Sequence, residues 1–128
     1  MANRTPLGRV RGLGSAKEGA HHWWNLRVTA AANLLLMLWF MISIARLPAY
    51  DLATATNWLQ SPWAAIPMVL LIVSVFYHFR LGLQVVIEDY VHNESRIALM
   101  LLLTFFTIGT GGVAIFSILK IAFTGAPA

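Results

Sequence analysis

The segment from His78 to His92 carries side chains that could do chemistry inside a membrane. It begins within an uninterrupted apolar run and ends in a cluster of ionisable and aromatic residues. A helix turns about 100° per residue, so His78, Gly82 and Asp89 fall within about 60° of one another. One face of the predicted helix therefore carries an imidazole, a gap and a carboxylate, a costly arrangement in a bilayer.

The imidazole and the gap could hold a flat prosthetic group. A glycine one turn from a histidine lets a bulky ligand lie close to the backbone. The chain has no cysteine, so a redox centre would need His78 or another non-sulfur ligand, and haem is commonly held by histidines on facing helices. Alternatively, His78 hydrogen-bonds a neighbouring helix and Gly82 only admits close packing. The other histidines, His21, His22 and His92, lie near the membrane surface, so a second axial ligand must come from another polypeptide.

A second polar stripe runs along another side of the same helix, through Tyr77, Arg80, Gln84 and Glu88. A charged Arg80 facing lipid would cost roughly 2.5 to 3.5 kcal/mol at mid-membrane, so we expect it to contact protein or cofactor. Two polar faces on one helix are more than three helices of one chain can cover. The pattern predicts a partner membrane subunit.

Asp89 and Tyr90 lie where this helix meets the membrane surface. A phenol and a carboxylate at that depth can hydrogen-bond a quinone carbonyl and supply protons as the quinone is reduced. Tyrosine is also common at membrane interfaces for anchoring alone. Both interpretations of the pair stay open on the residues themselves.

Composition assigns the chain to a bilayer. Of its 128 residues, 59% are hydrophobic and 11% charged, whereas charged residues approach about a quarter of a soluble domain. The net charge of +4 does not indicate nucleic acid, because most basic residues precede the first apolar run rather than forming a folded basic face. This asymmetry predicts a cytoplasmic N-terminus. The basic residues concerned are Arg4, Arg9, Arg11, Lys17 and Arg27.

The hydropathy pattern predicts an all-α integral membrane protein with three transmembrane helices and a periplasmic C-terminus. The predicted parts are a cytoplasmic arm over 1–27 and a three-helix membrane domain over 28–128, with spans at about 28–47, 62–89 and 97–123. Pro48 to Ser61 is predicted as a short external loop, and Asn33 as an interhelical hydrogen-bonding residue. A small-residue face for close packing is predicted on the third span, at Thr104, Thr107, Gly111 and Ala114.

Two motifs together resemble a known family. The first is His78-x-Arg80-x-Gly82, followed after six residues by Asp89-Tyr90 on the second span. The second runs from Gly14 to Trp24 and continues as Arg27-Val28-Thr29-Ala30. With the chain length and three spans, they resemble the small hydrophobic membrane anchor subunit of succinate dehydrogenase (succinate:quinone oxidoreductase, respiratory complex II).

The resemblance implies roles for individual residues. His78 would be one axial ligand of the iron of haem b, with the other histidine supplied by the cytochrome b membrane subunit, and the whole chain would form half of a heterodimeric helical bundle. Tyr90 would hydrogen-bond ubiquinone, with Asp89 beside it. Arg27 would pair with a haem propionate, and His21 is a nearby histidine of the same motif. His22 departs from the family pattern, so no role carries over to it.

The resemblance also implies partners and a place. The flavoprotein and the iron-sulfur subunit would dock on the cytoplasmic side of the bacterial inner membrane. Electrons from succinate oxidation would pass to ubiquinone, linking the tricarboxylic acid cycle to the respiratory chain, and the anchor would not be catalytic alone. The alternative is a structural or assembly subunit of another membrane complex, without a cofactor, in which His78 and Arg80 bond neighbouring helices.

Overall fold

The computed structural model describes residues 6–7 and 17–125 of the chain. Between residues 17 and 125, it has four helices: α1 (Lys17–Ala45), α2 (Leu52–Gln60), α3 (Pro62–Tyr90) and α4 (Glu94–Thr124). Three of them, α1, α3 and α4, are long and apolar enough to cross a membrane, and no strand occurs in the described part. The predicted all-α fold with three membrane helices is therefore confirmed. Arg4, Arg9, Arg11 and the Gly14–Ala16 part of the second motif lie outside the described residues.

The helix ends follow local sequence. Pro62 opens α3 at a position where its missing N–H costs nothing, and Ser61 before it is extended. Asn93, with φ of 68°, turns the chain between α3 and α4. Gly125 ends α4 in the left-handed conformation, and its N–H donates to the Ile121 carbonyl at 2.9 Å. Helix α1 starts before the predicted first span, because residues from Lys17 onward are already helical.

Helix α3 lies between the other two membrane helices. It packs against α1 on one side and α4 on the other, while α1 and α4 make no contact within the described residues. On the α4 side, Thr107 and Gly111 are buried, and a methyl group added to Gly111 would lie 3.6 Å from Phe76 Cγ. This is the close packing predicted for the small-residue face. On α1, Thr29 is the one buried residue among those described.

The segment predicted as a short external loop contains a helix, so the loop is wrong, while its external location stays a prediction. Helix α2 occupies most of it, with Thr56 buried and Trp58 stacked on Trp39 of α1 at 5.9 Å between ring centroids. The helix is short, and its stability comes from packing against α3 and α4 rather than from a long apolar run.

Asn33 does not form the predicted interhelical hydrogen bond. Its Oδ1 is buried and has no hydrogen-bond partner within the described chain. A buried amide oxygen without a partner is costly in an apolar environment. Asn33 is thus a polar group on α1 that the described part of the chain does not satisfy.

Candidate functional site

His78 is held by a line of polar contacts between α1 and α3. Its Nδ1 lies 2.9 Å from Thr29 Oγ1, and that hydroxyl donates to the Asn25 carbonyl at 2.7 Å. Ser74 Oγ donates to the Thr29 carbonyl at 3.4 Å, and Asn25 Nδ2 donates to Tyr77 Oη at 3.3 Å. We call these five residues the polar seam. They join two membrane helices, and the Thr29 contact ties one ring nitrogen of His78 to α1.

The other ring nitrogen of His78 has no partner among the described residues. Nε2 makes no hydrogen bond to any described residue. One turn away, a methyl group added at Gly82 would meet no heavy atom within 4 Å outside its own helix backbone. The gap predicted beside the imidazole is therefore real space rather than a close helix contact.

The contacts of His78 and Gly82 bear on both interpretations of this face. His78 does bond a neighbouring helix, as the structural alternative requires, but only through Nδ1. Gly82 admits no close packing from the described residues. Within that part of the chain, no three His, Asp or Glu residues are grouped to hold a metal ion. The face can therefore supply a single imidazole ligand and room for a flat group beside it.

Near the start of α1, the structure separates the two adjacent histidines. His21 is exposed, whereas His22 is half-buried and has an Nε2 with no partner in the described chain. His22 lines a pocket of about 400 Å³ together with Gln84 and Glu88 of α3. The sequence argument gave His22 no role, and the structure draws it, rather than His21, towards the second membrane helix.

Arg27 lies on the same end of α1 and is exposed. Its guanidinium carbon is 4.9 Å from the centre of the Trp23 ring, a cation–π contact that leaves the N–H donors available. Arg27 precedes Thr29 by two residues, about 3 Å along the helix axis. It is therefore close to the level of His78 along the bundle axis, displaced towards the start of α1.

The second predicted stripe divides into two parts. Gln84 Nε2 donates to Glu88 Oε1 at 3.0 Å, and the same carboxylate lies 3.5 Å from Arg96 of α4. Arg80 takes no part in these contacts: it is half-buried, and its Nε has no partner in the described chain. It borders a pocket of about 270 Å³ with Tyr77 and the α4 threonines.

Asp89 and Tyr90 close α3 at the predicted surface. Both are exposed, and Tyr90 is 80% accessible. Tyr90 follows His78 by twelve residues, which is about 18 Å along the helix axis. The phenol and carboxylate are thus presented outward from this chain, away from the imidazole and open to a second protein or a ligand.

Sequence reasoning missed Thr29, although the residue was part of the quoted motif. The signal was present: Asn25, Thr29 and Asn33 recur every four residues, so they share one face of α1. A polar stripe of that kind on an apolar helix marks a helix–helix contact. What the stripe could not show is that it faces His78.

Comparison with known proteins identifies the family of this chain. A family described as "Succinate dehydrogenase/Fumarate reductase transmembrane subunit" matches residues 1–111. The chain belongs to this family. Its resemblance to the succinate dehydrogenase anchor, inferred from the two motifs, is confirmed, and the chain is a multi-pass membrane protein.

Individual relatives agree with the family match. The chain is 34% identical over 108 residues to the succinate dehydrogenase hydrophobic membrane anchor subunit of Rickettsia bellii, covering 84% of this chain and 86% of the relative. It is 28% identical over 116 residues to the subunit of that name from Paracoccus denitrificans, covering 91% and 90%. The relative from Rickettsia conorii is 32% identical over 104 residues, covering 80% and 82%. No solved structure matches the chain.

Proposed function

We propose that this chain is the membrane anchor subunit of succinate dehydrogenase in a bacterial inner membrane. It holds the complex with its N-terminus in the cytoplasm and completes, with a cytochrome b subunit, the sites for haem b and ubiquinone. Electrons from succinate reach quinone through the flavoprotein and the iron-sulfur subunit. Family membership and the names of the relatives support this over a subunit of some unrelated membrane complex.

The observation that carries the haem proposal is the setting of His78. Its ring is bonded through Nδ1 to Thr29, its Nε2 is unpartnered in the described chain, and open space begins one turn away at Gly82. A metal-ligating histidine usually hydrogen-bonds through one ring nitrogen and binds the metal through the other, and His78 has one bonded and one available nitrogen. When bound, haem b supplies a one-electron carrier between the subunits. Arg27 on α1 would hold one of its propionates with the N–H donors left free by Trp23.

Unsatisfied polar atoms support a second membrane subunit. Asn33 Oδ1 and Arg80 Nε are buried without partners in the described chain, at positions well inside α1 and α3. Arg80 precedes the end of α3 by ten residues, about 15 Å, which is too deep for its head group to reach the surface easily. Polar groups at such depth need partners from protein or cofactor. The cytochrome b subunit would supply them against α1 and α3.

For ubiquinone, the proposal rests on Tyr90 and Asp89. Both are exposed on the last turn of α3, where the Tyr90 hydroxyl can donate to a quinone carbonyl. Asp89 can take up and release protons beside it. His21, exposed at the start of α1, lies at the same predicted membrane surface and would contribute to the edge of the haem and quinone region.

The haem proposal is tested on the complex purified from its native membrane through a tag on this chain. We expect the flavoprotein, iron-sulfur and cytochrome b subunits to co-purify, with a b-type reduced-minus-oxidised spectrum. His78→Ala should abolish that spectrum, whereas His92→Ala, which changes an exposed histidine, should leave it unchanged. A fully assembled complex without b-type absorbance would refute haem binding.

The quinone proposal is tested by removing one hydroxyl. Tyr90→Phe should lower succinate:quinone activity while succinate oxidation by a water-soluble dye continues, because the dye does not use the membrane site. Tyr50→Phe is the matched control, since Tyr50 is 78% exposed before α2, on the opposite side of the predicted membrane. Equal quinone activity in the two assembled variants would remove Tyr90 from the quinone site.

A further inference from the structure

We propose that Thr29 is a positioning residue, which fixes the tautomer and the orientation of His78 so that the Nε2 lone pair faces the iron. This inference rests on the proposed function, because it assigns Thr29 a part in the haem site. Thr29, on α1, contacts His78, the proposed iron ligand, and would not contact the iron itself.

The hydrogen bonds of Thr29 determine where its hydroxyl proton lies. A hydroxyl has one proton to donate and two lone pairs. Thr29 Oγ1 lies 2.7 Å from the Asn25 carbonyl and 3.2 Å from the Leu26 carbonyl, two groups that can only accept. Two oxygens 2.7 Å apart without a proton between them would repel, so the hydroxyl proton points to the backbone of α1.

The position of the Thr29 proton determines the tautomer of His78. With its proton committed to the backbone, the Thr29 oxygen can only accept from His78 Nδ1 at 2.9 Å. The neutral ring therefore carries its proton on Nδ1 and its lone pair on Nε2. The opposite tautomer would place two lone pairs against each other at the seam and would leave a proton where the iron must bind.

The contacts of Thr29 also restrict the orientation of the His78 imidazole. Thr29 is only 9% exposed, and its carbonyl accepts from Ser74 Oγ of α3, so the residue is fixed at both its side chain and its backbone. Because Thr29 Oγ1 is bound to its own helix, the imidazole cannot rotate about its Cβ–Cγ bond without losing the Nδ1 bond. A hydrogen bond accepted from Nδ1–H also increases the electron density of the ring, which favours the oxidised metal.

Thr29→Val tests this in the purified complex, because valine keeps the shape of threonine and removes the hydroxyl. We expect haem affinity to fall about 10- to 100-fold, as is typical when the partner of a ligating histidine is lost. We also expect the midpoint potential of the remaining haem to rise, because the ring donates less electron density. Thr29→Ser keeps the hydroxyl and should preserve both properties.

Thr56→Val is the matched control. Thr56 is as buried as Thr29, at 9% exposed, and its hydroxyl also donates to a carbonyl of its own helix, that of Ala53 at 2.9 Å, but it lies on α2 outside the polar seam, so its loss should leave the potential unchanged even if the complex is less stable. If Thr29→Val yields too little complex, Thr29→Cys retains only a weak acceptor and should give a smaller rise in potential. An unchanged potential and haem content in Thr29→Val, or in Thr29→Cys where valine yields too little complex, beside a haem-containing wild type, would overturn the role of Thr29. A wild-type complex without haem would instead overturn the proposed function.

Discussion

Gly82 offers a direct test of whether the space beside His78 belongs to a cofactor. A methyl group added at Gly82 would meet no described atom within 4 Å outside its own helix backbone, so the first carbon of a leucine side chain has no clash to relieve there. Leucine also favours a helix over glycine by up to about 1 kcal/mol. The fold of the anchor should therefore tolerate the change.

If haem occupies this space, the added side chain overpacks the site. Overpacking of this kind costs about 1–3 kcal/mol, and each 1.4 kcal/mol is a factor of about ten in affinity. Gly82→Leu should thus weaken haem retention roughly 5- to 150-fold. Gly82→Ala should have a smaller effect, because it adds a single methyl group.

The assay is haem content per complex, with subunit ratios measured on the same sample. Gly109→Leu is the control, because Gly109 is equally open but lies on α4. Haem loss from an assembled Gly82→Leu complex, with none from the control, would support a cofactor beside His78. Full haem content and an unchanged spectrum in Gly82→Leu would refute the assignment of this space to haem. Loss of the cytochrome b subunit together with haem would assign the space to the partner's side chains.

Two further predictions concern packing, measured as the thermal stability of the purified complex. Gly111→Ala should be tolerated, since a methyl group there makes an ordinary contact at 3.6 Å, whereas Gly111→Leu should cost about 1–3 kcal/mol of stability. Gly112→Leu is the control, because a methyl group at Gly112 meets nothing within 4 Å. Equal stability of the two leucine variants would contradict the packing of α3 on α4. Trp58→Ala should lower the melting temperature, because it removes the stack on Trp39, and such pairs contribute about 0.5–1.5 kcal/mol beyond burial. Trp63→Ala, at an 87% exposed indole, should change it less, and the reverse order would contradict a stabilising stack.

The membrane helices could be predicted because their signal is local. Each is an apolar run of spanning length, and the residues of α3 that share a face follow from the helical period alone. Helix α2 could not be found in the same way. At nine residues it is too short to be stable alone, and the Trp39–Trp58 stack that accompanies it joins residues from different elements.

The details of the site depend on how the helices are rotated against each other. The sequence places Thr29 and His78 on polar faces, but it does not say that those faces meet 2.9 Å apart. His21 and His22 differ by about 100° around α1, and only the packing on α3 decides which one turns inward. Such pairings rest on contacts between residues about fifty positions apart in the chain, which no local period encodes.

Helix α1 packs along α3 and meets α2 at the Trp39–Trp58 stack, and within the described residues nothing of α4 covers its other sides. The bundle therefore has no closed interior of its own. A planar prosthetic group can be laid against α3 from the side, so it need not thread through a finished core. We expect biogenesis to follow from this: cofactor loading and docking of the cytochrome b subunit belong to one maturation stage in the bilayer, before the water-soluble subunits are attached.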